Sequence, residues 1–449
     1  MHARVLFLLV FVLTFSLAPR CPRAQQLPRR VFIGIDLQGI TDSIQQRYHL
    51  PNHNGILVRG VRPQSSAQAA GLQANDIILQ LGSTVVGTNV GEFVGQLKQY
   101  RVGDKLPFQV LRNGRKIRKP VTFKGFPQES SPWYEVQYSS VRTGANQLRT
   151  IITRPTASAK AQVPMVLFIQ GVGCFSVDNP LGRADVTNRI IDSLSRRGYA
   201  TMRVDKTGMG DSQGTPCLES DLLSEASGYK AGLAAIRQLS FVDQQNVFIT
   251  GFSIGGVMAP LVAQGENLKG VVVFGTVSRT FIEYLLENKR NQSQLQGLPA
   301  DSVDNLLRTY SAALHLLLTE KQTPAQVLAR YPAARRVLTF PQHYTYMQQW
   351  QDLNLPAYWQ KLNTNVLALR GAADYISYSI DHQLIADIVN RAHPGKASFV
   401  LLPDVDHHFN RAHDLAEAMR LDEQADPEKN FEFMRVILNW LDDKQKQKA

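Results

Sequence analysis

Cysteine is scarce in this chain, with three in 449 residues, too few for a scaffold built from disulfides. Beyond the N-terminal leader, no segment is apolar for long enough to cross a bilayer as a helix. No arginine-aromatic stripe and no nucleic-acid-binding motif is present, so the net charge of +12 reads as general attraction to anionic surfaces, with no nucleic-acid partner. Charged residues make up only 19% and hydrophobic ones 44%, which allows a sizeable core, and the length predicts two or three domains.

The chain opens on a different composition. Met1 to Gln26 holds His2 and Arg4, an apolar run from Val5 to Leu17, and a polar end with Arg20, Cys21, Arg23 and Ala24. That run is too short to span a membrane, so residues 1–26 read as a secretory signal peptide cut after Ala18 or Ala24, with an uncleaved anchor as the alternative. Arg20 before Cys21 argues against a lipoprotein signal. Export places the protein in the periplasm or outside the cell. Loss of the leader removes three arginines and Cys21, leaving a charge of +9 and only Cys174 and Cys217, which could pair in an oxidising compartment.

Residues 30–125 alternate short apolar segments with turn residues. Val31 to Leu37, Gly55 to Val61 and Asp76 to Leu81 read as strands, Ala67 to Leu72 and Glu92 to Tyr100 as helices, and Leu106 to Leu111 leads to a turn at Asn113-Gly114. The Phe32-Ile33-Gly34 loop, the Gly-Ile-Leu-Val strand and Ala70-Gly71-Leu72 with Asn75-Asp76-Ile77-Ile78 together resemble a circularly permuted bacterial PDZ domain, the type found in periplasmic proteases. The resemblance implies that the loop Phe32, Ile33, Gly34 offers N–H groups to a peptide C-terminal carboxylate while the peptide adds a strand to the sheet edge. The alternative is a domain packed against its neighbour with an empty groove.

From residue 130 onward, after an opening hairpin of Tyr134 to Val141 and Gln147 to Thr153, strands alternate with helices. The strands are Val163 to Gln170, Tyr199 to Asp205, Val247 to Thr250, Val271 to Gly275, Val366 to Arg370 and Ser398 to Leu402. Asn188 to Arg197, Leu222 to Leu239 and Phe431 to Leu441 are helical in spacing, and the pattern predicts a parallel α/β sheet covered on both faces. Residues 277–362 interrupt it with a leucine- and glutamine-rich helical segment, read as a cap over the site.

The chemistry centres on Gly251-Phe252-Ser253-Ile254-Gly255, a serine between glycines directly after an apolar strand, which is the pattern of a nucleophile elbow. Asp374 follows the Val366 strand, and His407 and His408 follow the last one. Serine needs an imidazole to take its proton, and the imidazole needs a carboxylate to fix its tautomer. Asp374 is preferred over Asp381, Asp404 and Asp406, which lie within a helix or beside the histidines. The register Asp406-His407-His408-Phe409 favours His407 over His408, and the adjacent histidines make a poor metal site.

Together with Asp205-Lys206-Thr207-Gly208-Met209-Gly210-Asp211-Ser212, these residues resemble α/β-hydrolases close to serine aminopeptidases and prolyl-oligopeptidase-like enzymes, over residues 130–449 apart from the cap. That loop lacks the Gly-Lys-Ser/Thr ending of a phosphate cradle, and no cofactor is expected. The resemblance implies an oxyanion hole from the N–H groups of Ile254 and Val172, with Gln170 standing where the family usually has histidine. It also implies neighbouring strands before Cys174 and Cys217, and hence a disulfide on that rim.

Three readings follow: an exported serine hydrolase acting on a small acyl substrate through an acyl-enzyme, a serine peptidase whose PDZ-like domain recruits peptides, and an idle hydrolase fold used as a scaffold.

Overall fold

The computed structural model describes residues 27–97, 99–158, 162–182, 185–422 and 427–447, so the expected leader at residues 1–26 lies outside the described residues. The N-terminal unit is a sheet of β1 (Ile35–Gly39), β2 (Ile56–Val61), β3 (Ile77–Leu81), β4 (Thr84–Val85), β5 (Lys105–Arg112) and β6 (Arg115–Thr122). The strands run in the order β1-β2-β3-β5-β6, with β4 beside β3. Three helices, α1 (Asp42–Tyr48), α2 (Ser66–Ala69) and α3 (Val90–Leu97), complete it. Alternate residues Ile56 and Val58 of β2 and Phe108 and Val110 of β5 point inward to meet Phe93 of α3.

Both ends of this unit are fastened to the rest of the chain. Arg30 donates to the carbonyls of Gly208 (2.6 Å) and Ser212 (2.9 Å), and its N–H donates to Asp211. Glu129 makes two 2.6 Å bonds to the fully buried guanidinium of Arg203. The planar fork of arginine matches the carboxylate, so this pair replaces the water both charges give up.

The second unit is an eight-stranded sheet of β7 (Tyr134–Thr143), β8 (Asn146–Pro155), β9 (Val163–Ile169), β10 (Ala200–Val204), β11 (Val242–Phe252), β12 (Gly270–Phe274), β13 (Asn365–Gly371) and β14 (Ala397–Leu402). Its order is β14-β13-β12-β11-β9-β10-β8-β7. The strands from β10 to β14 are parallel, while β8 runs antiparallel to β10 and to β7. The central strands are apolar on both sides. In β9, Met165, Leu167 and Ile169 face one layer, and Val166 and Phe168 face the other.

One layer holds α5 (Leu222–Ile236) and α6 (Ile254–Val262). The opposite layer holds α4 (Val186–Arg196) and α15 (Glu432–Lys446), whose Phe433 and Ile437 are buried as the spacing predicts. Between β12 and β13 the chain builds a helical insertion of α7 (Phe281–Leu295), α8 (Ala300–Leu314), α9 (Pro324–Arg330), α10 (Arg335–Leu338), α11 (Tyr344–Asp352) and α12 (Leu355–Gln360). After β13 come α13 (Ser379–Ala392) and, beyond β14, α14 (Leu415–Leu421). This is an α/β-hydrolase architecture preceded by a small, mainly β domain. No helix among the described residues is long and apolar enough to cross a membrane.

Several boundaries differ from the sequence reading. The first strand starts at Ile35 rather than Val31, because residues 32–34 curl into a loop whose carbonyls accept from Ser66 and Ala67. β11 begins at Val242, its polar stretch 243–246 taken up by a break in register against β9. Strand β6 and helix α1 were not anticipated.

Candidate active site

The elbow is formed by β11 running directly into α6, with Ser253 at the junction in a backbone conformation of φ 54° and ψ −123°. A non-glycine residue at positive φ is strained and persists only where its surroundings hold it. Here the Ser253 N–H donates to the Phe274 carbonyl of the next strand at 2.9 Å. The flanking glycines are required by close approach: a Cβ at Gly251 would meet the Gly255 carbonyl oxygen at 2.4 Å, and one at Gly255 would meet the Ile169 oxygen at 2.4 Å.

The Ser253 hydroxyl lies 3.1 Å from His407 Nε2, and His407 Nδ1 lies 2.9 Å from Asp374 Oδ2. Asp374 is fully buried just past β13, where its Oδ1 accepts from the N–H groups of Ile376 and Ser377 and its Oδ2 from the Ser377 hydroxyl. Burial by itself would raise the Asp374 carboxyl. The facing imidazole and the Ser377 donors reverse this and hold it well below the usual carboxylate range. Burial pulls His407 down, and Asp374, joined by the charges of Asp406 and Asp422, more than offsets that, so the net shift is upward from 6.5.

The alternatives to these residues are engaged elsewhere. His408 turns outward to Asp422 at 2.8 Å. Asp381 is buried against Ser278 and Arg279, Asp404 pairs with His413, and Asp406 accepts from His408 and Asn410 within its own turn. Asp406, His408 and Asp422 lie close enough together to share an ion, but Asp406 is already bonded on both oxygens.

Opposite the elbow, the loop after β9 brings Gly171 against Ser253. The N–H groups of Val172 and Ile254 have no acceptor among the described residues. Sequence reasoning missed what orients this loop. Lys206 Nζ, buried, donates to the Gly171 carbonyl at 2.8 Å and sits 2.9 Å from Glu225, off the line of a hydrogen bond. The Gly171 carbonyl and Val172 N–H belong to one planar trans peptide and point in opposite directions. Fixing the carbonyl on Lys206 therefore turns the N–H away from the lysine. Gln170, in the place of the usual histidine, reaches along the loop to the Phe175 carbonyl at 3.4 Å.

The loop is also held at its far end. Cys174 is disulfide-bonded to Cys217, joining the loops that follow β9 and β10, and Gln342 of the insertion lies against both sulfurs. Beyond it, Asp205 accepts from the Val177 N–H and from Arg149, which also binds Asp178 and Ser176. The insertion roofs a cavity of about 840 Å³ that includes Ser253 and His407, with Phe281, Tyr284, Leu285 and Trp350 on its cap side.

At the small domain, the Phe32 N–H is spent on the Lys124 carbonyl, so of the three residues expected in the carboxylate loop only Ile33 and Gly34 keep N–H groups without an acceptor among the described residues. They lead into β1, an edge strand beside α3.

Residues 144–383 match the profile of the X-Pro dipeptidyl-peptidase (S15 family), and residues 31–121 match that of the PDZ domain. A probable periplasmic serine endoprotease DegP-like from Marinomonas sp. is 27% identical over 115 residues, covering 26% of this chain and 24% of that protein. The chain spans about a quarter of the length of the first curated relatives it matches. Among solved structures, Est1E from Butyrivibrio proteoclasticus is 13% identical, with a TM-score of 0.43 over 69% of this chain and 99% of that one. The acylaminoacyl peptidase of Pyrococcus horikoshii is 11% identical, with a TM-score of 0.44 over 77% and 49%. The S15 profile spans more than half of the chain, and the chain belongs to that family of α/β-hydrolases, a serine hydrolase family, here with a PDZ domain ahead of the catalytic fold.

Proposed function

We propose that the protein is an exported serine hydrolase that cleaves ester or related acyl bonds, with Ser253 as nucleophile, His407 as general base and Asp374 as its orienting carboxylate. The observation that carries this reading is the unbroken chain of hydrogen bonds from Ser253 through His407 to Asp374 beside the Val172 and Ile254 N–H groups, which have no acceptor among the described residues. In the resting site Asp374 accepts from Nδ1–H, which leaves Nε2 free to take the Ser253 proton as Oγ attacks the acyl carbon. The oxyanion that forms is met by the N–H groups of Ile254 and Val172. His407 then returns the proton to the leaving oxygen or nitrogen, and water repeats the sequence to release the acid. Export is supported by the leader pattern of residues 1–26 and by the word periplasmic in the names of the curated relatives.

Peptide hydrolysis is the second reading, favoured by the family match and by the open N–H groups of Ile33 and Gly34 beside an edge strand, where a peptide could dock. Removal of residues from a peptide N-terminus calls for a free carboxylate facing the α-ammonium. Among the described residues lining the cavity, Asp178 is bound by Arg149 and Asp185 caps α4 through the Thr187 N–H. That weighs toward uncharged or anionic acyl groups.

The test is labelling of the protein and its Ser253→Ala variant with a fluorophosphonate, followed by turnover of p-nitrophenyl esters and of aminoacyl and prolyl anilides. Serine-dependent labelling with ester cleavage is expected. No labelling would refute both enzymatic readings, and anilide cleavage without ester cleavage would reverse their order.

A further inference from the structure

The cavity over Ser253 is unequally balanced in charge. Of its two carboxylates, Asp178 is neutralised by Arg149 and Asp185 caps α4 through one oxygen, whereas two cations on its cap wall, Lys289 of α7 and Arg336 of α10, have no hydrogen bond or ion pair among the described residues. The acids of α7 are taken: Glu283 and Glu287 pair with Arg279, and the nearby Asp304 pairs with Arg290 and Arg308. Phe281, Leu285 and Lys289 follow one another at four-residue spacing, which aligns them on a single stripe of the helix. All three line the cavity, so the lysine lies on the apolar face rather than the solvent face.

Lys289 is lowered from its ordinary value by burial and by the charge of Arg336. Lys289 is half-buried and Arg336 exposed, and two like charges facing one another repel until an anion joins them.

We propose that Lys289 and Arg336 form a subsite for a carboxylate carried by the substrate, reached across the apolar wall of Phe281, Leu285, Val337 and Phe340. The inference rests on the serine-hydrolase reading and narrows its substrates to acyl compounds with a carboxylate remote from the scissile carbonyl. The apolar wall takes the methylene chain, and the two cations take the terminal charge, as charge-assisted bonds do elsewhere.

The test compares p-nitrophenyl butyrate with the p-nitrophenyl half ester of adipic acid, and with 3-(butyryloxy)benzoate, in which the carboxylate sits on the leaving group. The full chain is compared with its Lys289→Met/Arg336→Gln variant. Loss of a charged contact of this kind lowers kcat/KM for a carboxylated ester by about tenfold or more, chiefly through KM, with butyrate within about twofold. A loss seen with the adipate ester places the carboxylate on the acyl side, and one seen only with the benzoate ester places it on the leaving group.

Binding of monomethyl adipate to the Ser253→Ala protein, measured by calorimetry with and without the two substitutions, separates the subsite from the chemistry. Binding that depends on Lys289 and Arg336, in a protein whose parent takes no fluorophosphonate label and cleaves neither ester nor anilide, would sink the hydrolase reading and leave the subsite standing. Ester cleavage with no effect of the double substitution on any carboxylated substrate or on adipate binding would overturn the subsite.

Discussion

Lys206 offers the sharpest test of the proposed oxyanion loop at Gly171 and Val172. Its single bond to the Gly171 carbonyl is the side-chain contact that fixes the peptide plane carrying the Val172 N–H, since the disulfide acts three residues further on at Cys174. Replacing Lys206 alone would leave Glu225 buried without its counter-charge, at a cost of about 3 to 5 kcal/mol, and confuse instability with lost catalysis. The informative variant is therefore Lys206→Met with Glu225→Gln, which removes both charges. Complete loss of one oxyanion donor costs about 10² to 10³ in kcat. A donor left in place but free to rotate should cost less, and we expect kcat to fall by about 10- to 100-fold with KM little changed.

The assay is ester turnover beside a thermal melt, with Lys206→Arg as the conservative control, which keeps a donor near the carbonyl and should recover part of the loss. A double variant that melts like the parent and keeps kcat within about twofold would refute the positioning role. A rise in KM alone would refute it as well, because an interaction made only in the transition state leaves substrate binding unchanged.

Three further outcomes are expected. As the proposed general base, the His407 imidazole must be neutral to accept the serine proton, and Asp374 raises its affinity for protons, so kcat/KM should climb with pH through a midpoint above 6.5; Asp374→Asn should move that midpoint to lower pH and reduce kcat by about 10⁴-fold, and an unmoved midpoint would count against the pairing. His408→Ala, which removes an outward-facing side chain bonded to Asp422, should keep kcat within about threefold, while His407→Ala should abolish serine-dependent turnover; equal losses would contradict the geometry. Cys217→Ser opens a loop of 43 residues, a loss of up to about 4 kcal/mol by loop-closure entropy, and should lower both the melting temperature and kcat because the oxyanion loop loses its far anchor; a lower melt with unchanged kcat would confine the disulfide to stability.

Part of the fold was legible because its signals are local. The apolar cores of β9 and β12, buried on both faces, read directly as strands, and the i, i+4 stripe of Phe433 and Ile437 read as the buried side of a helix. Strand β6 was not, because Arg115, Lys116, Arg118 and Lys119 make it look like a solvated loop. It is the edge of its sheet, where charged residues and a proline such as Pro120 suit a strand with one side in water. The Asp205 to Ser212 loop was legible as a turn through its glycines, but nothing in its pattern indicates that Lys206 reaches back to a carbonyl 35 residues earlier.

The sequence by itself determined a strand-to-helix elbow at Ser253, an acid after one later strand and a histidine pair after the last, and two cysteines placed after successive strands, since order along the chain and hydrophobic period are written in neighbouring residues. Only the tertiary structure decided that His407 rather than His408 faces a serine 154 positions away, that Asp374 rather than Asp406 receives it, and that Lys289 and Arg336 line the same cavity as the elbow. Those outcomes depend on how loops from different strands close over one sheet edge, and the direction of a side chain at the end of such a loop is set by its packing rather than by its place in the chain.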